Sequence, residues 1–527
     1  MVFIGRILLK KGGLCLKRFL KIITSRSFLF SVLALIQIGL FFFLILQFSN
    51  IGPYTYAMMI ILSVLVLVFV FEKDDLNPSY KVMWIIITVL LPITGAVMYL
   101  LWGGQKLRPK IAKRFSQIER QADSSMIPQP LLLEVLDKVD PTLSRQAEYL
   151  YSRAAAPLYS QTECRYFKSG EDFFEAFLPE LEQAQHCIFM EYFIIEPGIM
   201  WDRTLAVLRR KAAEGVDVRI VWDGFGSLFT LPEGYEQTLR SYGIGAGIFN
   251  PIRVTAHISQ YIFLNHRDHR KICVIDGEVG FTGGLNFADE YINRKERFGY
   301  WKDTAFMLRG PAVYSLTATF LKIWSFVDNS TPNYASYLPT RHYVTDGFVQ
   351  PYADTPLDNE NVCACAYLNI ITRAQRYVYI ATPYLVIDYE LQSALSLAAK
   401  SGVDVRIITP GIPDKPYVYV LTRSYYRQLL HAGVRIFEYT PGFLHAKMYV
   451  SDDSVAVVGS ANMDFRSLYL HFENCCAFYG GAIINDVRDD ILHCCDVGRE
   501  ITLDEVNALP WYRRLLQIVF RFFAPFM

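Results

Sequence analysis

One pattern occurs twice in this chain with identical internal spacing, H-x-K-x4-D-x6-G-[GS]-x-N. The first copy is His269, Lys271, Asp276, Gly283, Gly284 and Asn286; the second is His445, Lys447, Asp452, Gly459, Ser460 and Asn462. Their surroundings repeat too. The hexapeptide GVDVRI stands at 215–220 and again at 402–407, each copy after a helical stretch (204–214 and 390–401). Ahead of each helix runs an apolar strand, 187–195 or 377–386. A further apolar segment, 244–249 or 434–439, precedes each motif. Alternating strand and helix predicts a βαβ arrangement in each half. Right-handed crossovers then make the sheets largely parallel. The expected fold class is α/β, with two pseudo-symmetric lobes of mixed, largely parallel sheets, whose motifs face each other across a pseudo-two-fold axis.

The spacing also predicts chemistry. Residues 269–275 and 445–450 read as strands, and on a strand residues i and i+2 share a face. His and Lys of each motif therefore project together. A return strand, 279–282 or 455–458, delivers Gly283-Gly284 or Gly459-Ser460, where glycine admits close backbone approach, and then the asparagine. Two imidazoles, two ammonium groups and two carboxamides suit one phosphodiester. One neutral histidine attacks phosphorus, giving a phosphohistidine. The other protonates the leaving alkoxide and later deprotonates the incoming alcohol. Lys271, Lys447, Asn286 and Asn462 hold the non-bridging oxygens. Ser460 is a further phosphate-binding candidate without a counterpart in the first half. Asp276 and Asp452 complete the candidate catalytic set, but lie in the hairpin turn off the His/Lys face and read as turn caps. A histidine nucleophile needs its far nitrogen held by a carboxylate, and Asp303 and Glu473 are the candidates. Zinc ligation by His257, His266, His269 and His445 is the competing reading, and a lysine two residues beyond the motif histidine opposes it. No metal or other cofactor is required, because the lysines supply the positive charge.

The chain is 52% apolar, high for a wholly soluble enzyme. No charge occurs from Ser27 to Phe71, and this run splits into 28–48 and 55–71; a third apolar stretch covers 82–102. These predict a helical membrane region at 28–104, behind a basic, interfacial segment at 1–27. Basic clusters precede the first stretch and follow the third, so both ends read as cytoplasmic. Three full spans conflict with that, and a broken helix at Pro92 and Gly95 resolves it. The remaining divisions are linker helices at 105–150, lobe 1 at 151–345, lobe 2 at 346–508 and an amphipathic interfacial helix at 509–527. A net charge of +1 recruits no nucleic acid, and the ten cysteines lack zinc-site spacing.

The two motifs resemble those of the phospholipase D superfamily and, within it, bacterial cardiolipin synthases. Residues 77–81, 280–286 with 288–291, 301–304, 310–313, 382–384 and 459–467 carry the resemblance. It implies phospholipase D-like lobes and transfer of a phosphatidyl group between two phosphatidylglycerols, yielding cardiolipin and glycerol at the plasma membrane. It also implies His269 as nucleophile and His445 as acid and base; the motifs alone leave that choice open. Partners are then phosphatidylglycerol, cardiolipin and the lipid bilayer, with oligomeric state unspecified. The alternative is a phospholipase D-type hydrolase with water as acceptor. A catalytically dead scaffold would show a degraded motif, and both copies are intact.

Overall fold

The computed structural model describes residues 39, 52–72, 77–103, 109–251, 265–358 and 360–526. The chain divides into two compact units, 1–105 and 106–527. The expected segments 1–27 and 28–48 lie outside the described residues, apart from Gly39.

In the first unit, helices span Gly52–Phe71, Pro78–Leu90 and Pro92–Met98, and a π-helical turn covers Tyr99–Gly103. Asn77 caps the second helix by accepting from Ser79 N at 3.0 Å, and Pro78 follows at its first turn. The chain breaks at Leu91, whose φ of −131° and ψ of 74° are non-helical, as the residue before a proline must be. A Cβ on Gly95 would lie 2.7 Å from Ile87 O, so the two helices close together only over a glycine. Trp84 and Tyr99 are buried, with ring centroids 5.4 Å apart. Val64, Leu65, Val68, Val89 and Leu90 face outward. Among the described residues no helix is long and apolar enough to cross a membrane, so the expected stretches 55–71 and 82–102 do not appear as spans there.

The second unit opens with helices Pro109–Asp123, Pro130–Val139 and Pro141–Ala154. Lobe 1 then builds a seven-stranded sheet from β1 (Glu163–Phe167), β2 (Cys187–Tyr192), β3 (Asp217–Asp223), β4 (Gly245–Phe249), β5 (Lys271–Ile275), β6 (Val279–Gly283) and β7 (Ala305–Arg309). Their order is β1-β7-β6-β5-β2-β3-β4. Lobe 2 repeats it with β8 (Phe348–Asp354), β9 (Tyr377–Ala381), β10 (Asp404–Pro410), β11 (Arg435–Tyr439), β12 (Met448–Ser451), β13 (Val455–Gly459) and β14 (His471–Tyr479). Its order is β8-β14-β13-β12-β9-β10-β11, and β15 (Gly498–Ile501) is added at the edge.

Among the described residues, within each lobe's own strands β2-β3-β4 and β9-β10-β11 pair in parallel, and the other neighbours in the two strand orders pair antiparallel. The sheets are mixed, as expected, but the expectation that they are largely parallel is corrected: antiparallel pairings predominate. The motif strand is the reason. It returns through a short turn into β6 or β13, and such a connection permits only an antiparallel neighbour. It then pairs antiparallel with β2 or β9, where the βαβ unit begins.

Helices Gly170–Glu182 and Ile199–Ala213 cover one face of the first sheet. Helices Val362–Arg373, Tyr389–Lys400 and Pro416–His431 cover one face of the second. The other two faces share one core, which holds helices Val313–Asp328 and Ala482–Asp496 and the Phe306–Phe478 contact at 5.2 Å.

Candidate active site

The motif strands begin at Lys271 and Met448, later than the sequence suggests, so both histidines lie in the segments that enter the strands. These segments are tied to the opposite lobe. Arg267–Asp268 pairs in parallel with His471–Phe472, and Gly442–Leu444 with Tyr300–Lys302. His269 N donates to Phe472 O at 2.9 Å, and His445 N to Lys302 O at 2.7 Å. The next residues after those acceptors are Glu473 and Asp303.

The side chains repeat the exchange. His269 Nδ1 lies 2.9 and 3.0 Å from the two Glu473 carboxylate oxygens, and His445 Nδ1 lies 2.6 Å from Asp303 Oδ2. Each motif histidine is thus paired with the carboxylate of the other lobe. All four groups are buried. Burial pushes the His269 imidazole down to about 3 and that of His445 to about 4. Burial alone would raise the carboxylates. The facing imidazoles outweigh it, holding Glu473 well below the ordinary range and lowering Asp303. The resulting state is a neutral imidazole whose Nδ1–H donates to an ionised carboxylate, which at His269 leaves the Nε2 lone pair free for attack.

Lys271 Nζ donates to the carbonyl of His269, and Lys447 Nζ to that of His445. Lys447 Nζ also lies 2.9 and 3.1 Å from the ring nitrogens of His445. Burial lowers Lys271 to about 7 and Lys447 to about 8; the carboxylates oppose that shift in both, and Lys447 adds to it at Lys271. The two ammonium groups repel each other in a desolvated place where the carboxylates only partly offset burial, and a bound anion would favour both charges.

The remaining candidates divide. Asn286 accepts from Ile194 N at 3.1 Å and donates to Tyr291 Oη at 2.7 Å. Asn462 donates to Asp464 at 3.1 Å, while its buried Oδ1 has no partner. The Ser460 hydroxyl donates to Glu473, and Asn474 N donates to it at 3.0 Å. It is therefore directed at the carboxylate behind His269. Asp276 and Asp452 lie away from this cluster. Asp276 accepts from the backbone N–H groups of Gln185, His186 and Cys187, and Asp452 from those of Gln375, Arg376 and Tyr377. Both sit at positive φ, 56° and 55°, in the hairpin turn. His266 is buried, with Nδ1 3.3 Å from Leu470 O; His257 lies outside the described residues.

Two neighbours escaped the sequence reading. Tyr291, bonded to Asn286, has its ring 5.5 Å from that of His445. His471 has its ring 5.6 Å from that of His269. The H-x-E spacing at the start of β14 was the available signal for the second, since alternate strand residues share a face.

The sequence profile described as "Cardiolipin synthase, PLD-like domain" matches residues 177–324 and 367–494, and "Phospholipase D-nuclease N-terminal" matches 59–104. A Streptococcus mutans protein described as uncharacterized is 41% identical over 450 residues, which is 84% of this chain and 96% of that one. Cardiolipin synthase from Geobacillus thermodenitrificans is 34% identical over 487 residues, 90% of this chain and 94% of its own. Among solved structures, phosphatidylserine synthase from Haemophilus influenzae aligns with a TM-score of 0.57 at 15% identity, covering 74% of this chain and all of that one, a likeness of fold. Two complete motifs, the exchanged carboxylates and these matches lead to one conclusion: the chain belongs to the cardiolipin synthase family of the phospholipase D superfamily.

Proposed function

We propose that this protein is a cardiolipin synthase, moving a phosphatidyl group from one phosphatidylglycerol to the glycerol hydroxyl of another. The observation that carries the reading is the exchange of carboxylates between lobes, which gives one bipartite site with two oriented imidazoles. His269 Nε2 attacks phosphorus and the bond to glycerol breaks, leaving a phosphatidyl-histidine. His445 gives its Nε2 proton to the departing glycerol oxygen, and Asp303 stabilises the imidazolium form that the substrate's negative charge favours. The headgroup hydroxyl of the second phosphatidylglycerol then loses its proton to His445 and takes the phosphatidyl group, freeing His269. Lys271 and Lys447 hold the phosphate oxygens through both steps. Asn286, whose partner Tyr291 lies beside His445, and Asn462 are further groups for the substrate, and the unpaired Asn462 oxygen suits a headgroup hydroxyl. Ser460 acts through Glu473, which it helps to hold.

The substrate is a lipid, so the enzyme works at the bacterial plasma membrane. The apolar residues exposed on the N-terminal helices support insertion there. The basic clusters at both ends of that region support a cytoplasmic catalytic unit. Helix Trp511–Phe522 supports contact with the bilayer surface. It turns Trp511, Leu515, Ile518 and Val519 outward, while Arg521 donates to Gln392 on the protein side at 2.8 Å.

Labelled phosphatidylglycerol in vesicles tests the reaction. Cardiolipin with free glycerol is the expected product pair. Phosphatidic acid alone would mean that water is the acceptor and that the enzyme is a hydrolase.

A further inference from the structure

One difference between the two halves of the site lies beside the carboxylates. Two residues before its carboxylate, lobe 1 has Trp301 and lobe 2 has His471. The His471 Nδ1 lies 3.8 Å from Glu473 Oε1 and is buried without a hydrogen-bond partner. An unpaired polar atom in such a place is costly and calls for an explanation. His269, His471 and Glu473 each offer one ligand atom, and these atoms lie within 4.8 Å of one another. Two imidazoles and a carboxylate are a donor set for zinc and its neighbours, and unsuited to magnesium or calcium.

We propose that His269, His471 and Glu473 form an inhibitory site for a zinc-class divalent ion. The site deepens the function proposed above, because it disables the nucleophile of that reaction. His269 Nδ1 now carries a proton, donated to Glu473, and its Nε2 keeps a lone pair. An ion bound through Nδ1 needs the lone pair there. The proton passes to Nε2, the imidazole stays neutral, and Nε2 loses the pair that attacks phosphorus. Metal binding and phosphatidyl transfer at His269 are therefore mutually exclusive. Lys271 lies beside His269, and its charge weakens the ion's hold, which suits a reversible inhibitor. His445 is spared, since Trp301, the counterpart of His471, has its ring 5.5 Å away and offers no ligand.

Cobalt, which reports its geometry in visible absorption, tests the site on the full-length protein in detergent. One cobalt per chain with low-symmetry bands is expected, and zinc should displace it. His471→Asn should abolish the bands and raise the half-inhibitory zinc concentration, read against the variant's own metal-free rate, by at least about tenfold. His445→Ala, which removes an active-site group but no ligand, should keep the bands. Bands that survive His471→Asn, or none in the wild type, would overturn the site. Bands together with zinc-insensitive turnover would overturn the inhibition. The bands are read without turnover, so an enzyme found to hydrolyse instead of transfer leaves this test intact.

Discussion

Gly284 and Ser460 occupy the same place in the two motifs, and the carboxylates they face explain the difference. A Cβ on Gly284 would lie 2.1 Å from Asp303 Oδ1, so the first half tolerates only glycine there. In the second half the longer Glu473 leaves room for a side chain, and the Ser460 hydroxyl fills it. Gly284→Ser should therefore abolish activity by displacing Asp303. Ser460→Ala should lower kcat roughly tenfold with little change in KM, because it loosens Glu473 and leaves the phosphate alone. A rise in KM at constant kcat would instead place the hydroxyl on the phosphate. Glu473→Gln and Asp303→Asn keep the shape but lose the charge that fixes each tautomer. Each should cost about two to four orders of magnitude in kcat.

The lysines set the pH dependence. Their folded values of about 7 and 8 lie below the ordinary lysine range, so kcat/KM should fall as pH rises through that interval and the ammonium charge is lost. His269, at about 3, is neutral throughout and should add no limb near neutrality, whereas His445, at about 4 and needed protonated for the first step, should add to the fall with rising pH. Stability moves the opposite way from activity. Between the folded values and the lysine value of 10.5 in the unfolded chain, the unfolded state binds more protons, so stability rises with pH there. Paired pH profiles of kcat/KM and of the denaturant midpoint check both signs.

At the scale of elements, the hairpin aspartates join units of the fold. Asp276 and Asp452 each take three backbone N–H groups at the start of β2 or β9, joining the motif hairpin to the βαβ unit beside it. Asp276→Ala or Asp452→Ala should destabilise by roughly 1–3 kcal/mol, as loss of a helix cap or an anchored turn does. Activity per folded molecule should change far less than in the histidine variants. Equilibrium unfolding beside titrated active sites separates the two effects. Their turn role was legible from sequence, because seven residues of strand and turn place the aspartate off the histidine face. Strand direction was less legible. The GVDVRI repeats marked the parallel β3 and β10, but nothing local states that β5 and β12 insert beside β2 and β9. Asp303 and Glu473 were legible as carboxylates near the motifs. Which histidine each serves was not, because the exchange depends on how the lobes meet. His471 was hidden by its ordinary place at a strand start.

At the scale of the whole molecule, duplication supplies two copies of a half-site, and the exchange makes each incomplete alone. The chain must then bring this buried site to a lipid. Helix Trp511–Phe522 reverses the usual arrangement of a surface helix. Arg514 donates to Asn507 O and Arg521 sits 4.5 Å over the Tyr425 ring, so both are turned to the protein. Leu515 and Ile518 are left 52% and 66% exposed. The following turn, Ala524–Phe526, packs on helix Phe465–Tyr469, which begins three residues after Asn462. The outward stripe is thereby fixed near the second motif. Exposed apolar side chains in such a row favour an interface, and burying each is worth about 1.5–3 kcal/mol. Leu515→Glu and Ile518→Glu should each weaken binding of the isolated 106–527 unit to anionic vesicles by about tenfold or more, with no loss of thermal stability, because neither side chain is buried in the protein. Vesicle sedimentation with the two variants measures this. Unchanged binding in both would remove the helix from the membrane surface and leave the N-terminal region as the sole anchor.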